Sequence, residues 1–253
     1  MTHYRPSPIV RLSDLLGPLR LHRFGHGTHD HEASASDVEA DVLAAVRTRA
    51  GEIHEEVAHD HGIFAVEFAG STGGGKTMLI ERLIERAPAE EAIGVVVGDV
   101  AGEDDATRFR SHGVAVQNVN TGKECHLDPT LVGDALDGFD LDALDTLYIE
   151  NVGNMVCPAD FPLGANRRVL VVSTTEGEDV VRKHPMLVQT ADIVVINKVD
   201  VAEAVGTDVA RIREDIETVA PETPVFETDA RQGSGIDALA DELTSGRDHH
   251  DRH

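Results

Sequence analysis

A chain of 253 residues fits one α/β domain with appendages and is long enough to bury a large core. Its 46 acidic residues stand against 22 basic ones, a formal net charge of -24, and its only lysines are Lys76, Lys123, Lys183 and Lys198. Nucleic acids and anionic membranes require clustered positive charge, so neither is expected as a partner.

This acidic balance matches a protein of a high-salt cytoplasm, where screening relieves self-repulsion. No apolar run is long enough for a transmembrane helix, and the N-terminus does not read as a secretory signal, so a cytoplasmic location is expected. In that setting the two cysteines, Cys125 and Cys157, suggest a metal or redox role before a disulfide.

Residues 1–35 show no sustained periodicity and carry His3, His22, His26, His29 and His31. Such a tract is either a metal-binding tail or a solvated one, and the sequence leaves both open. Asp37 to about Ala58 reads as an amphipathic helix with Ser36 as its N-cap. Next come a strand (Ile63–Ala69), the glycine loop Gly70-Ser71-Thr72-Gly73-Gly74-Gly75-Lys76-Thr77, and a helix (Met78–Arg86) that Pro88 brings to an end. The loop matches the phosphate-loop pattern at each fixed position. Its N–H groups and the following helix N-terminus suit an anion, Lys76 would reach the outer phosphates, and the Thr77 hydroxyl would hold Mg²⁺.

Further apolar runs are expected as strands at Ala92–Val97, Val114–Val116, Thr146–Ile149, Arg168–Ser173, Ile193–Ile196 and Pro224–Glu227. Helical segments fall at Asp128–Leu144 (broken near Gly138), Val209–Val219 and Ile236–Leu243. Alternating β-branched runs and helices predict a doubly wound, mostly parallel sheet covered on both faces. The domain is expected over 36–246, followed by a histidine-containing tail at 247–253.

Parallel sheets collect ligands at the C-terminal ends of their strands, and several motifs stand there. Asn197-Lys198-Val199-Asp200 follows the strand 193–196. The Asp200 carboxylate can accept from N1–H and the 2-amino group of guanine, a donor pair that adenine lacks. Asn197 can bridge to the loop, and the Lys198 stem can lie over the ring, which favours GTP over ATP. Ala230, in Thr228-Asp-Ala-Arg231, stands where a backbone amide can meet guanine O6. Glu150-Asn-Val-Gly153 follows the strand 146–149: Glu150 can order Mg²⁺, and the Gly153 N–H can meet the γ-phosphate. Asp99 is a second carboxylate for the Mg²⁺ edge. Asp105 approaches the metal or the attacking water, or else serves as a helix N-terminal acid.

Cys125-His126 and Cys157 lie inside this machinery. Two thiolates and an imidazole can bind Ni²⁺ or Zn²⁺; the alternative is two core cysteines and a capping histidine.

Gly70–Thr77, Thr121-Gly-Lys-Glu-Cys-His-Leu-Asp128, Glu150-Asn-Val-Gly-Asn-Met-Val-Cys-Pro-Ala-Asp160 and Asn197–Asp200 resemble the motifs of the HypB family, over roughly residues 37–245. The resemblance implies a P-loop GTPase of the SIMIBI type that hydrolyses GTP and inserts nickel during [NiFe]-hydrogenase maturation. It implies a Ni²⁺/Zn²⁺ site formed by Cys125, His126 and Cys157 near the interface of a GTP-promoted homodimer. A HypA-type nickel chaperone and the hydrogenase large-subunit precursor are the implied partners. The chain departs from the family at Gly102, where threonine is common, at Asp229-Ala230-Arg231, and in having no cysteine before Cys125. Competing readings are a urease-type nickel GTPase, whose Cys-Pro-His motif is absent, and a nickel-storage protein with a regulatory nucleotide site. An ATP-dependent small-molecule kinase is the third, and it would make the Asp200 carboxylate irrelevant to nucleotide choice.

Overall fold

Branching at Cβ suits an extended backbone buried on both faces, and the β-branched runs of this chain become strands accordingly. The computed structural model describes residues 35–100, 102–122, 125–156 and 161–250. Among them seven strands form one sheet: β1 (Phe64–Gly70), β2 (Ile93–Asp99), β3 (Ala115–Asn120), β4 (Thr146–Glu150), β5 (Arg167–Ser173), β6 (Ile193–Asn197) and β7 (Val225–Thr228). Their order is β3-β2-β4-β1-β5-β6-β7 and every pairing is parallel. The register aligns Val97 with Glu150, Gly70 with Val171, Ser173 with Asn197, and Asn197 with Thr228. The ends that carry the motifs therefore share one edge of the sheet.

Nine α-helices accompany the strands among the described residues: α1 (Ala35–His54), α2 (Lys76–Arg86), α3 (Asp104–Ser111), α4 (Pro129–Leu136), α5 (Val180–Lys183), α6 (Pro185–Gln189), α7 (Ala202–Val205), α8 (Val209–Val219) and α9 (Ile236–His250). Alternation along β1 decides which face each covers. Phe64, Val66 and Phe68 pack with Leu79, Ile80 and Leu83 of α2, Phe109 of α3, and Ile236 and Leu239 of α9. On the other face Ala65 lies under Ile53 of α1 and Val132 of α4, while Ala69 joins the cluster holding Ile212 and Ile216 of α8.

Several expectations are corrected. The first helix starts at Ala35, so Ser36 lies inside it instead of capping it. It does not run on regularly to Ala58 but widens into a π-helical stretch, Glu55–Asp60, before Ile63 N–H bonds to the Val57 carbonyl (2.8 Å). β3 begins one residue later than the expected run and extends to Asn120, because Gln117, Asn118 and Asn120 interrupt the apolar pattern of an edge strand. α9 continues past Leu243 to His250, into the expected tail, with the Thr244 and Ser245 hydroxyls donating to carbonyls one turn back. α5, α6 and α7 have only four, five and four residues, too few to show a period. The histidines at 3, 22, 26, 29 and 31 lie outside the described residues. No helix among the described residues is long and apolar enough to cross a membrane.

Candidate functional site

A cavity of about 640 Å³ opens at the C-terminal edge of the sheet. Thr72, Gly73, Gly75, Lys76, Thr77, Asp99, Asp105, Glu150, Gly153, Asn197, Lys198, Asp200 and Ala230 all line it. The glycine loop joins β1 to α2, and Gly75 is the N-cap of α2 at φ 102°, a conformation open to glycine at little cost. A Cβ there would also collide with the Asn197 carboxamide. Lys76 is buried and folds back, donating to the carbonyls of Gly70 (3.2 Å) and Ser71 (3.1 Å). Burial lowers its pKa against the opposing pull of Glu150, Asp105 and Glu176.

Asn197 is the connector at the end of β6. Its Nδ2 donates to the Gly74 carbonyl (3.0 Å), and its Oδ1 accepts from the Thr228 hydroxyl (3.0 Å) and the Ala230 N–H (3.2 Å). Lys198 is the one non-glycine residue with positive φ (62°) among the described residues, and its Nζ donates to the Gly73 carbonyl (2.5 Å). Arg82 of α2 supports the same region, donating to the carbonyls of Ala230 (2.9 Å) and Arg231 (3.0 Å).

Glu150 ends β4 with only 5% of its surface exposed. Its Oε1 accepts from the Thr77 hydroxyl (2.8 Å), whereas Oε2 is buried with no hydrogen-bond partner among the described residues. Desolvation pushes its carboxyl up to about 7, opposed mainly by the charge of Lys76. An orphaned buried oxygen next to a hydroxyl, with Asp99 lining the same cavity, is a donor set that fits a hard divalent cation such as Mg²⁺. Gly102 allows the chain to approach the Asp99 carboxylate: a Cβ there would stand 2.6 Å from Oδ2. Asp105 sits in the first turn of α3 and also lines the cavity, pairing with Arg108 (3.3 Å). A helix N-terminal position and a place at the cavity are thus compatible.

The Cys125 Sγ and the His126 Nδ1 lie 3.6 Å apart, so both point at one region, and the His126 ring packs on Phe161 at 4.2 Å between centroids. Neither lines the cavity, and Cys157 falls outside the described residues. No group of three or more metal-capable side chains gathers among the described residues.

Several residues escaped sequence reasoning. Glu176, just past β5, accepts from the Ser71 hydroxyl, and desolvation raises its pKa. Arg108 lines the cavity while bound to Glu81 and Asp105. Buried Glu67 holds both Arg168 (3.2 Å) and Asn151 (2.8 Å). Glu176, Glu67 and the Glu81 contact of Arg108 each depend on a partner remote in sequence, so no local pattern announces them. Asp105-Ala-Thr-Arg108, a pair one helical turn apart, was the one local signal.

A phosphate loop heading a wholly parallel, doubly wound sheet defines the class: a P-loop nucleotide-binding α/β protein. Residues 64–227 match the family model described as CobW/HypB/UreG, nucleotide-binding domain. A probable hydrogenase maturation factor HypB of Methanocaldococcus jannaschii is 43% identical over 209 residues, covering 83% of this chain and 94% of that one. The crystal structure of hydrogenase maturation factor HypB from Archaeoglobus fulgidus is similar at TM-score 0.75 and 44% identity, across 81% of this chain and 99% of that one. HypB from Helicobacter pylori in complex with nickel gives TM-score 0.76 and 32% identity over 81% and 96% of the two chains. The chain belongs to the HypB family.

Proposed function

We propose that the protein is a cytoplasmic GTP-hydrolysing nickel metallochaperone that serves [NiFe]-hydrogenase maturation. The observation that carries this reading is the segment Glu150–Asn154. It holds the buried carboxylate of the nucleotide cavity at one end and hydrogen-bonds the Cys125 carbonyl at the other (3.1 Å). Five residues thus join the nucleotide cavity to the Cys125–His126 segment, which supports a coupling between hydrolysis and a cation bound there.

The chain's own groups perform the following steps. The loop amides and the α2 N-terminus cradle the phosphates, and Lys76 turns from the Gly70 and Ser71 carbonyls to the outer phosphates. Asp200 selects guanine, with the Ala230 loop closing over O6. Thr77, Glu150 and Asp99 would hold Mg²⁺, which would supply positive charge against the phosphates. Gly153 offers its N–H to the γ-phosphate and so distinguishes GTP from GDP. Asp105, which lines the same cavity, orients the attacking water. GTP favours a homodimer, and hydrolysis loosens the nickel cargo for transfer between a HypA-type chaperone and the hydrogenase large-subunit precursor.

Nickel affinity measured with a non-hydrolysable GTP analogue and with GDP tests the reading. The expected result is about one nickel per subunit, lost in Cys157→Ala, with affinity differing between the two nucleotides. Equal affinities and equal oligomeric state would overturn it. Several metals per subunit retained after Cys157→Ala would favour storage instead.

A further inference from the structure

The segment after β4 is tied to both halves of the site by side chains and backbone that no nucleotide motif requires. Asn151 is fully buried: its Nδ2 donates to Glu67, itself paired with Arg168, and its Oδ1 accepts the Leu127 N–H (2.9 Å). That residue is anchored in the core, so one end of Cys125–Leu127 is fixed. Asn154, three residues on, is only partly buried. Its backbone N–H donates to the Gly70 carbonyl (3.0 Å), forming an antiparallel bridge with the first residue of the glycine loop. Its side-chain Nδ2 donates to the Cys125 carbonyl (3.1 Å), while Oδ1 accepts the Val156 N–H (2.8 Å). Gly153 between them packs directly on the loop: its carbonyl accepts from the Thr72 hydroxyl (3.1 Å), and a Cβ would come within 2.6 Å of the Thr72 backbone.

The Gly70 carbonyl is shared. It accepts both the Asn154 N–H and the Lys76 ammonium. When Lys76 leaves for a phosphate, that oxygen loses a charged donor and its bond to Asn154 readjusts, since hydrogen bonds in a network polarise one another. A shift of Asn154 moves the Cys125 carbonyl, and with it the direction of the neighbouring thiol and imidazole.

We propose that Asn154 is the positioning residue that transmits the state of the glycine loop to the Cys125–His126 segment. This inference rests on the nickel-switch reading above, and its test separates the two. Asn154→Ala removes the side-chain bonds; Asn154→Asp keeps the shape but replaces the donor toward Cys125 with a charged acceptor. Both retain the backbone bond to Gly70, so GTP-analogue affinity should stay within about threefold of the parent.

Two ratios are then measured for the parent and both variants. The first is Ni²⁺ affinity with the GTP analogue against GDP, which in allosteric proteins typically spans about 5–150-fold. The second, independent of metal, is the rate of Cys125 alkylation with the two nucleotides in a Cys157→Ser background, where Cys125 is the sole thiol. The expected result is that both ratios depart from one in the parent and fall below about twofold in Asn154→Ala and Asn154→Asp. Parental ratios retained in both variants, with nucleotide affinity unchanged, would overturn the role of Asn154 and leave the nickel switch standing. A parental nickel ratio of one, with alkylation still dependent on nucleotide and on Asn154, would overturn the nickel reading alone. Alkylation indifferent to nucleotide in the parent would overturn the inference.

Discussion

Glu150→Gln should make the nucleotide-free protein more stable at pH 8 while strongly slowing Mg²⁺-dependent hydrolysis. In the fold the Glu150 carboxyl is pushed from 4.5 to about 7, chiefly by desolvation, so the folded chain binds this proton more tightly than the unfolded chain does. Its stabilising contribution is therefore fully present below about pH 4.5 and is lost as pH rises through 7. Holding the carboxylate ionised in the fold at pH 8 costs about 3 kcal/mol, because each tenfold gain in proton affinity on folding is worth ~1.4 kcal/mol. Glutamine keeps an oxygen for the Thr77 hydroxyl and never ionises. The variant should match the parent near pH 5 and exceed it by about 2–3 kcal/mol at pH 8, a rise in Tm of roughly 4–10 °C for a domain of this size. Thermal unfolding in EDTA and constant high salt, read as variant minus parent across pH 5–8.5, cancels the remaining acidic surface. A Tm difference independent of pH, or a less stable variant at pH 8, would refute the reasoning. Hydrolysis in Mg²⁺ should fall on the order of 100-fold, the scale of removing one preorganised charge-stabilising group.

Gly75→Ala must hold a Cβ at φ 102° against the Asn197 carboxamide. The strain of about 1–2 kcal/mol should lower Tm by several degrees and eliminate detectable GTP binding in calorimetry, with circular dichroism unchanged. Arg82→Ala releases the carbonyls of Ala230 and Arg231; the loss of charge-assisted bonds should raise KM for GTP about tenfold with kcat within twofold. Asp200→Asn and Asn197→Ala should differ in kind. The first exchanges an acceptor for a donor toward guanine, so competition assays should show preference over ATP falling at least tenfold. The second unlinks three protein groups and should weaken GTP and ATP alike.

The contrast between Asp200 and Asn197 also shows what the sequence made legible. Strand composition, the glycine loop and the placement of motifs at strand ends were readable because each follows from local conformational or chemical demands. The loop needs residues free of Cβ, and a strand buried on both faces needs an unbroken apolar run. Polar connections were not readable. Asn197 belongs to a recognisable tetrad, yet its carboxamide is committed to Gly74, Thr228 and Ala230, the first of these on the other side of β5. Its protein contacts therefore make it the fastener of the glycine loop, β7 and the segment at Ala230. The same holds for Asn151 and Asn154: the motif marks them as part of the segment after β4, but only the folded chain brings Leu127, Cys125 and Gly70 to their side chains and backbone. A hydrogen-bond partner across the sheet leaves no periodic trace, so the motifs can be read from sequence while the linkage between them cannot.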